Sequence, residues 1–389
     1  MINTSLLDDN VQEFIKNFDG EIYKILLGAS PFPNVTAAEL AEQIESRRKI
    51  EKKLPTWYNT PKILFPPKLN LEQTSSEITA QYKASLVSGN SLADITGGYG
   101  IDSYFFSENF KKVHHFEINT ELSKIVSHNL KVLKKDSISC FAEDGLKRVL
   151  EDSYDVIYVD PSRRHKSKGK VFFLKDSEPN IVEHQSEILK HCKTLMIKTS
   201  PMLDISRGLE ELSNVTEVHI VAVDNDVKEL LWILKDGFEG NPSIKTVNFK
   251  KNEDKHFDFQ WKHKGNAEYS LPKKYLYEPN AAILKSGAFD LISETLNVYK
   301  LNKNTHLYTN DTLIDFPGRR FTIEEVVPYS KTEIKKALTF KNANISIRNF
   351  PESVEKLRKK WKIKDGGDIY LFFITALEGK KQMLICSKA

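Results

Sequence analysis

The sequence predicts an α/β protein built on a parallel sheet that ends in an antiparallel hairpin. Short apolar runs alternate with helical patterns between residues 91 and 235, as in repeated β–α–β units. A turn with three glycines directly follows the first of these runs. The last two runs are joined by residues 224–228 alone, too short a link for a parallel crossover, so these two strands must pair antiparallel.

Residues 1–80, which precede the sheet, are predicted to be mostly helical. Val11, Ile15 and Phe18 recur at helical spacing, and Thr36 with Glu39 forms a capping box that opens a helix. A further helix is predicted at 72–86, leading into the first strand. This region either packs against the sheet as an extension, which is the simpler interpretation, or covers a ligand site.

The other elements follow from the apolar runs and their spacing. In the sheet region, strands are predicted at 92–95, 113–116, 137–141, 155–159, 194–198, 215–223 and 229–235, and helices at 122–133 and 181–191. Beyond residue 240, strands are predicted at 245–249, 257–262, 343–348, 368–376 and 382–387, and helices at 288–296 and 352–361. The chain is therefore expected to end in small α+β modules.

Composition excludes several classes of protein. With 389 residues, 40% of them hydrophobic and 28% charged, the chain fits a globular protein of two or three domains. Cys140, Cys192 and Cys386 lie far apart, which argues against a disulfide framework or a thiolate zinc site and suits a reducing cytoplasm. No signal peptide and no apolar run near the ~20 residues of a membrane span are found, so no membrane is expected as a partner. No metal is expected either, because no carboxylate cluster accompanies His184 and His191.

The glycine turn lies between the first predicted strand and a helix. Glycine permits positive φ and close approach of a ligand to the backbone, and the helix start offers unpaired N–H groups. Dinucleotide dehydrogenases also use such a turn, but their pattern requires a third glycine three residues past Gly100, and position 103 is serine. The turn therefore favours a nucleotide-like ligand of another kind.

Acidic residues end successive predicted strands, at the edge where open α/β sheets bind ligands. Asp94 ends the first strand. Glu117 ends the second, 17 residues after Gly100, where a carboxylate can accept hydrogen bonds from both hydroxyls of a ribose. Asp144 follows the third strand and either accepts from an adenine amino group or caps the next helix. Asp160 and Pro161 end the fourth strand.

These motifs resemble those of class I S-adenosylmethionine-dependent methyltransferases, which have a Rossmann-like sheet. More narrowly, the chain past residue 70 resembles a bacterial group of methyltransferases with a THUMP-like C-terminal domain. The resemblance is carried by Asp94-Ile-Thr-Gly-Gly-Tyr-Gly-Ile-Asp, Asp160-Pro-Ser-Arg-Arg, Lys198-Thr-Ser-Pro-Met-Leu-Asp-Ile and Asp365-Gly-Gly-Asp-Ile-Tyr. After the helical region at 1–80, it implies a methyltransferase domain at 81–240, a linking hairpin with a small ferredoxin-like segment at 241–319, and a THUMP-like domain at 320–389.

The resemblance also implies roles for individual residues. S-adenosylmethionine is expected to bind at Asp94, Thr96, Gly97, Gly98, Gly100, Glu117 and Asp144. Asp160 and Pro161 are expected to contact the methyl acceptor, and Ser162, Arg163 and Arg164 to hold the substrate. Because THUMP domains are RNA-binding modules of tRNA-modifying enzymes, the implied substrate is RNA.

The reaction class follows from the loop after the fourth strand. Loops of the Asn/Asp-Pro-Pro-aromatic type hold an exocyclic amine and stack on its base; here Asp160 and Pro161 are present but the aromatic residue is missing. Pyrimidine C5-methyltransferases need a cysteine nucleophile, and the stretch 198–201 after the fifth strand has none. N-methylation of a base in RNA is the favoured prediction. A small-molecule or protein methyltransferase, or a binding protein without turnover, stays open.

The C-terminal block is strongly basic. Between Lys331 and Lys364 there are 11 Lys or Arg against three Glu, a local net charge of +8. Lys356, Lys359 and Lys360 share one face of the predicted helix, and they are expected to contact RNA phosphates. The alternative is a solvated helix face with no partner.

Overall fold

The computed structural model of the protein describes residues 3–163, 173–251 and 253–389. The chain divides into two compact units, each described by itself. The first contains residues 1–218 and 229–240, and the second contains residues 219–228 and 241–389. The tip of the predicted hairpin, 219–228, therefore groups with the second unit.

The first unit begins with six helices. They are α1 (Asp9–Asn17), α2 (Ile22–Leu27), α3 (Ala37–Ile50), α4 (Pro55–Asn59), α5 (Lys68–Gln73) and α6 (Glu77–Ser85). The predicted capping box is present: Thr36 Oγ1 accepts from the Glu39 amide, and the Glu39 carboxylate accepts from the Thr36 amide. The predicted helix at 72–86 is instead two helices, because Ser76 caps a new one by accepting from the Thr79 amide at 3.3 Å.

An alternating α/β region follows. Its elements are β1 (Gly89–Asp94), α7 (Ile101–Phe106), β2 (Phe110–Phe116), α8 (Thr120–Val132), β3 (Ile138–Phe141), α9 (Gly145–Val149), β4 (Tyr154–Val159), β5 (Ser162–Arg163), β6 (Ser177–Glu178), α10 (Ile181–Lys190), β7 (Cys192–Thr199), α11 (Ile205–Glu211), β8 (Val215–Val223) and β9 (Asp226–Leu234).

The sheet has the predicted mixture of directions. Within the first unit its strands run in the order β3–β2–β1–β4–β7–β9–β8; the pairs from β3 to β7 are parallel, and β9 pairs antiparallel with β7. Asp224 and Asn225 form the turn between β8 and β9, and both have positive φ, 51° and 65°, as a tight hairpin turn requires. The predicted fold class, a parallel sheet with a terminal antiparallel hairpin after a helical region, is confirmed.

The second unit contains the C-terminal modules. Its further elements are β10 (Ser243–Phe249), β11 (Lys255–Gln260), β12 (Tyr275–Pro279), α12 (Ala281–Ser286), α13 (Phe289–Leu296), β13 (Tyr299–Lys300), β14 (Tyr308–Asn310), β15 (Gly318–Pro328), α14 (Lys331–Ala337), β16 (Asn344–Arg348), α15 (Val354–Trp361), β17 (Tyr370–Thr375) and β18 (Lys381–Lys388). A second sheet runs in the order β13–β14–β12–β15–β18–β17–β16. Among the strand pairings of the described residues in this sheet, β16–β17 is parallel and the others are antiparallel, and α15 connects β16 to β17.

The core of the first unit fixes the amino-terminal helices to the sheet. Trp57 of α4 is 1% exposed and packs in one apolar cluster with Leu92 of β1 and Phe105 of α7. Burying an aromatic ring of this size contributes on the order of 2–3 kcal/mol. The helical region is thus joined to the strand that precedes the glycine turn.

Candidate active site

The candidate site lies at the carboxyl ends of the neighbouring strands β1 and β4. β1 pairs with β2 on one side and with β4 on the other, so the chain leaves β1 and β4 toward opposite halves of the sheet. This is the topological switch point at which open α/β sheets bind ligands. The carboxyl ends of both strands carry an aspartate, Asp94 and Asp160.

Each glycine of the turn meets a different physical requirement. Gly98 and Gly100 have φ of +53° and +78°, values that side chains with a Cβ rarely adopt. A Cβ on Gly97 would lie 2.2 Å from Nε2 of the buried His115, and one on Gly100 would lie 2.7 Å from Val126 Cγ1. At Gly98 the nearest atom to such a Cβ would be Thr96 O at 3.8 Å, so this side of the turn is open.

Asp94 braces the turn from inside the fold. It is 1% exposed, and its carboxylate accepts hydrogen bonds from Ser103 Oγ at 2.7 Å and from the Thr96 amide at 3.2 Å. Burial raises the pKa of Asp94 to about 7, although the Ser103 hydrogen bond opposes the rise. Ser103 occupies the position at which the dehydrogenase pattern requires glycine. Its hydroxyl donates a hydrogen bond to the Asp94 carboxylate.

Glu117 spans from β2 to the glycine turn. Its carboxylate accepts from the Gly98 amide at 3.0 Å and from the Asn119 amide at 2.7 Å. Burial raises its pKa, although these two hydrogen bonds oppose the rise. The next residue in the chain, Ile118, has an apolar side chain that is 76% exposed.

Asp144 acts as the cap of α9. Its Oδ1 accepts from the Leu146 amide at 3.1 Å, so the capping interpretation of this residue is correct. A Cβ on the next residue, Gly145, would lie 2.7 Å from Ile95 Cα, which shows that α9 begins directly against the end of β1. The contact of Asp144 with an adenine stays a prediction.

Asp160 is tied to the glycine turn and to a lysine. Its amide donates to Thr96 Oγ1 at 2.6 Å, and its carboxylate accepts from Lys198 Nζ of β7 at 2.6 Å. The Asp160 side chain is 34% exposed, so it is open on the side away from the lysine. Pro161 is buried and Ser162 is exposed at the start of β5. The Arg163 side chain and all of Arg164 lie outside the described residues.

A buried ionic network lies next to Asp160, and no sequence motif predicts it. Lys83 of α6 is 0% exposed; its ammonium lies 2.7 Å from Glu229 Oε1 and 3.3 Å from Asp102 Oδ1. Asp102 also accepts from the Tyr158 hydroxyl at 2.8 Å. Burial opposes the charge on Asp102, but the two nearby lysines and its hydrogen bonds outweigh burial and hold its pKa below the usual range.

The three lysines that are predicted to contact RNA phosphates lie in the second unit, on α15. Lys356 and Lys359 are exposed, while Leu357 on the opposite face is buried, as the helical spacing predicts. Lys360 is engaged within the fold: its ammonium lies 3.1 Å from both Glu352 carboxylate oxygens and 3.0 Å from the Tyr329 hydroxyl.

Two negative observations apply to the part of the chain that the structure describes. Among these residues, no group of three or more His, Cys, Asp or Glu side chains is arranged to hold a metal ion. None of the described helices combines the length and apolarity needed to cross a bilayer.

Comparison with known proteins agrees with this architecture. Residues 275–317 match a ferredoxin-like domain family, and residues 318–388 match a THUMP domain-like family. The crystal structure of an inferred methyltransferase from Porphyromonas gingivalis W83 superposes with a TM-score of 0.90 at 32% identity, covering 100% of this chain and 99% of that one.

Other solved structures are only partly similar. An inferred RNA methyltransferase from Pyrococcus horikoshii matches with a TM-score of 0.33 at 18% identity, covering 49% of this chain and 96% of that one. An rRNA methylase from Streptococcus thermophilus gives 0.31 at 16% identity, covering 42% and 98%. These partial likenesses are too weak to bear on function, and no curated protein matches the chain. At 32% identity over the whole length of the P. gingivalis protein, and with its THUMP domain-like segment, this chain belongs to the same family, the class I methyltransferases with a THUMP-like C-terminal domain.

Proposed function

We propose that the protein is an S-adenosylmethionine-dependent methyltransferase that N-methylates a base in RNA. The observation that carries this proposal is the joint anchoring of Glu117 and Asp160 on one glycine turn. Glu117 accepts from the Gly98 amide, and the Asp160 amide donates to Thr96. The proposed cofactor contact, Glu117, and the proposed methyl-acceptor contact, Asp160, are therefore both hydrogen-bonded to residues 96–98.

The residues at the turn fit this cofactor. The space next to Gly98 is open, and its positive φ disfavours any residue with a Cβ. The Glu117 carboxylate next to it is a hydrogen-bond acceptor. We assign the ribose hydroxyls to Glu117, the adenine amino group to Asp144, and the flat adenine face to the exposed Ile118. Gly97 and Gly100 shape the turn while Asp94 and Thr96 brace it. When bound, the cofactor supplies an electrophilic methyl group on a sulfonium centre.

The acceptor side is assigned to the loop after β4. Asp160 accepts a hydrogen bond from the exocyclic amine of the base and takes up its proton as the amine loses it, while the Pro161 carbonyl offers a second acceptor. Ser162, Arg163 and Arg164 are assigned to the substrate backbone, because guanidinium groups bind phosphate in forked geometry. Positioning the amine in line with the methyl group supplies most of the catalysis, since the sulfonium methyl is already reactive.

We expect Glu117→Ala to weaken S-adenosylmethionine binding by ~10- to 100-fold, because a hydrogen bond to a charged acceptor is worth ~1.5–3 kcal/mol. Isothermal titration calorimetry measures this directly. Glu151→Ala is the matched control, because Glu151 is exposed and its carboxylate pairs with Arg148 of α9. Equal affinities for Glu117→Ala and the unaltered protein would remove Glu117 from the cofactor site.

For the RNA we propose the second unit as the binding module. Lys356 and Lys359 project from α15, a helix fixed by the buried Leu357 in the core of the THUMP domain-like segment. The paired Lys360 is retained only as a flanking charge, because its ammonium already has the Glu352 carboxylate as a partner. Such a surface binds phosphates with little sequence preference.

We expect the double variant Lys356→Glu/Lys359→Glu to bind RNA more weakly and with a smaller salt dependence. Each phosphate contact on a single strand contributes ~0.7 to the log–log salt slope, so the slope should fall by about 1.4. The matched control is Lys16→Glu/Lys24→Glu, which makes the same charge change at two exposed lysines of the helical region. Fluorescence anisotropy across a salt series gives both quantities, and identical slopes for the two double variants would leave α15 without a role.

The proposed function as a whole is tested on RNA from a strain that lacks the gene. Incubation with the protein and isotopically labelled S-adenosylmethionine, followed by mass spectrometry of nucleosides, should yield a labelled N-methylated base. Label in protein or in small molecules instead would replace the RNA substrate by the corresponding alternative. A protein that binds cofactor but transfers no label would be a binding protein without turnover.

A further inference from the structure

The ammonium group of Lys198 pairs with Asp160, the residue that is proposed to contact the methyl acceptor. Lys198 Nζ lies 2.6 Å from Asp160 Oδ2, and the lysine side chain is only 12% exposed against 34% for the aspartate. The cation is therefore inside the fold, and the open part of the carboxylate faces away from it. Burial alone would lower the pKa of Lys198, but the carboxylates of Asp160, Asp102 and Glu229 outweigh burial and raise it.

Ser75 joins this lysine to the helical region. The residue lies between α5 and α6 and is 6% exposed. Its hydroxyl accepts from Lys198 Nζ at 3.3 Å and from Lys83 Nζ at 3.2 Å, and it donates to Asp102 Oδ2 at 2.9 Å. A serine hydroxyl has one donor and two acceptor positions, so all three are used here.

The rest of the network holds this junction in place. Lys83 donates to both carboxylate oxygens of Glu229, at 2.7 and 2.9 Å, which anchors α6 to the start of the buried part of β9. Three carboxylates, those of Asp102, Asp160 and Glu229, share two ammonium groups. Asp160 is the most exposed of the three carboxylates and the one at the end of β4.

We propose that Lys198 is a positioning residue for Asp160, and that Ser75 of the helical region and Lys83 of α6 complete the active site. This inference rests on the proposed function and extends it to residues that have no site role in the sequence predictions. A neighbouring ammonium group fixes the direction of the carboxylate, whose oxygens accept hydrogen bonds. The open oxygen is then aimed at the N–H of the methyl acceptor. The region at 1–80 is in this way part of the site as well as a packing extension.

A double-mutant cycle tests whether Lys198 acts through Asp160. Lys198→Met should lower kcat by ~10- to 100-fold, and KM for RNA should change by less than about threefold. The loss should be absent when Asp160→Asn is already in place, because the group that Lys198 positions is then missing. Lys198→Arg should recover part of the activity. Lys193→Met is the control on the same strand, since Lys193 is 79% exposed and pairs with Asp155. Additive losses in the cycle would overturn the positioning role.

A second measurement does not depend on turnover. In protein labelled with ¹⁵N at the lysine side chains, Asp160→Asn should lower the pKa of the Lys198 ammonium group relative to the unaltered protein. Identical titration of Lys198 in both proteins would overturn the coupling, whatever the activity. If the unaltered protein methylates no RNA, the proposed function fails, and this titration still decides whether Lys198 and Asp160 form a coupled pair.

The part played by the helical region is tested at two adjacent serines. Ser75→Ala should lower kcat by roughly 3- to 10-fold, because Lys198 loses a hydrogen-bond partner. Ser76→Ala removes the cap of α6 and should lower thermal stability while kcat stays unchanged. Full kcat in Ser75→Ala would exclude the helical region from the active site.

Discussion

Asp160→Ala is expected to lower the rate of methyl transfer by about 10²- to 10⁴-fold, the range for removal of a general acid–base group. The carboxylate is fixed at the end of β4 by Lys198 and, through its own amide, by Thr96. Neither contact involves the Gly98–Glu117 side of the turn, so cofactor affinity should change little. Single-turnover methyl transfer and calorimetry with S-adenosylmethionine measure the two quantities separately.

Two companion variants define what the loss means. Asp160→Asn keeps a hydrogen-bond acceptor but not the charge, so it should retain more activity than alanine if holding the amine matters more than taking its proton. Asp152→Ala changes a half-exposed carboxylate just before β4, at the opposite end of the strand, and should behave as the unaltered protein. Parental turnover in Asp160→Ala would move the acceptor site elsewhere.

The placement of the acidic residues could be predicted because its signals are local. Each strand shows itself as a short apolar run, and the carboxyl ends of parallel strands meet at one edge. Asp94, Glu117 and Asp160 therefore had to lie together once the sheet was recognised. The glycine turn added the rest, since positive φ at Gly98 and Gly100 follows from the absence of a side chain.

The ionic network could not be predicted from the same signals. Lys83 and Glu229 are 146 positions apart in the chain, and their pairing depends on how α6 lies against β9. Lys and Glu are almost never fully buried unless paired, so the sequence alone predicts a surface position for both residues. Lys198 begins a run that contributes to the family resemblance and lacks a cysteine, but neither property indicates that its ammonium group pairs with Asp160.

At two other positions the sequence defined the location of a side chain but not its partner. Helical spacing placed Lys360 on the face of Lys356 and Lys359, yet Tyr329 and Glu352 supply contacts that spacing cannot show. Asp144 had two possible partners, and only the position of α9 revealed that the Leu146 amide takes one carboxylate oxygen. Periodicity predicts which face a residue occupies, whereas partners depend on tertiary packing.

Lys83→Met is expected to destabilise the first unit by about 3–5 kcal/mol, because it leaves a buried charge without its partner. Glu229 is 2% exposed, and Lys83 is within hydrogen-bond distance of both of its carboxylate oxygens. Lys68→Met is the control in the same region: its partner Glu45 is half-exposed, so little change is expected. Urea denaturation followed by fluorescence of the buried Trp57 and Trp232 reports on this unit.

The loss in Lys83→Met should also grow with pH. Burial raises the pKa of Glu229 even with Lys83 present, and removing the cation raises it further. A carboxyl whose folded pKa exceeds its unfolded value binds more protons in the folded state, so the stability of the variant should fall as pH rises from about 5 to 8. Lys83→Met/Glu229→Met removes both charges and should recover part of the stability at pH 8. A pH-independent loss, or a double variant no more stable than the single one, would show that Lys83 contributes through packing and not through its charge.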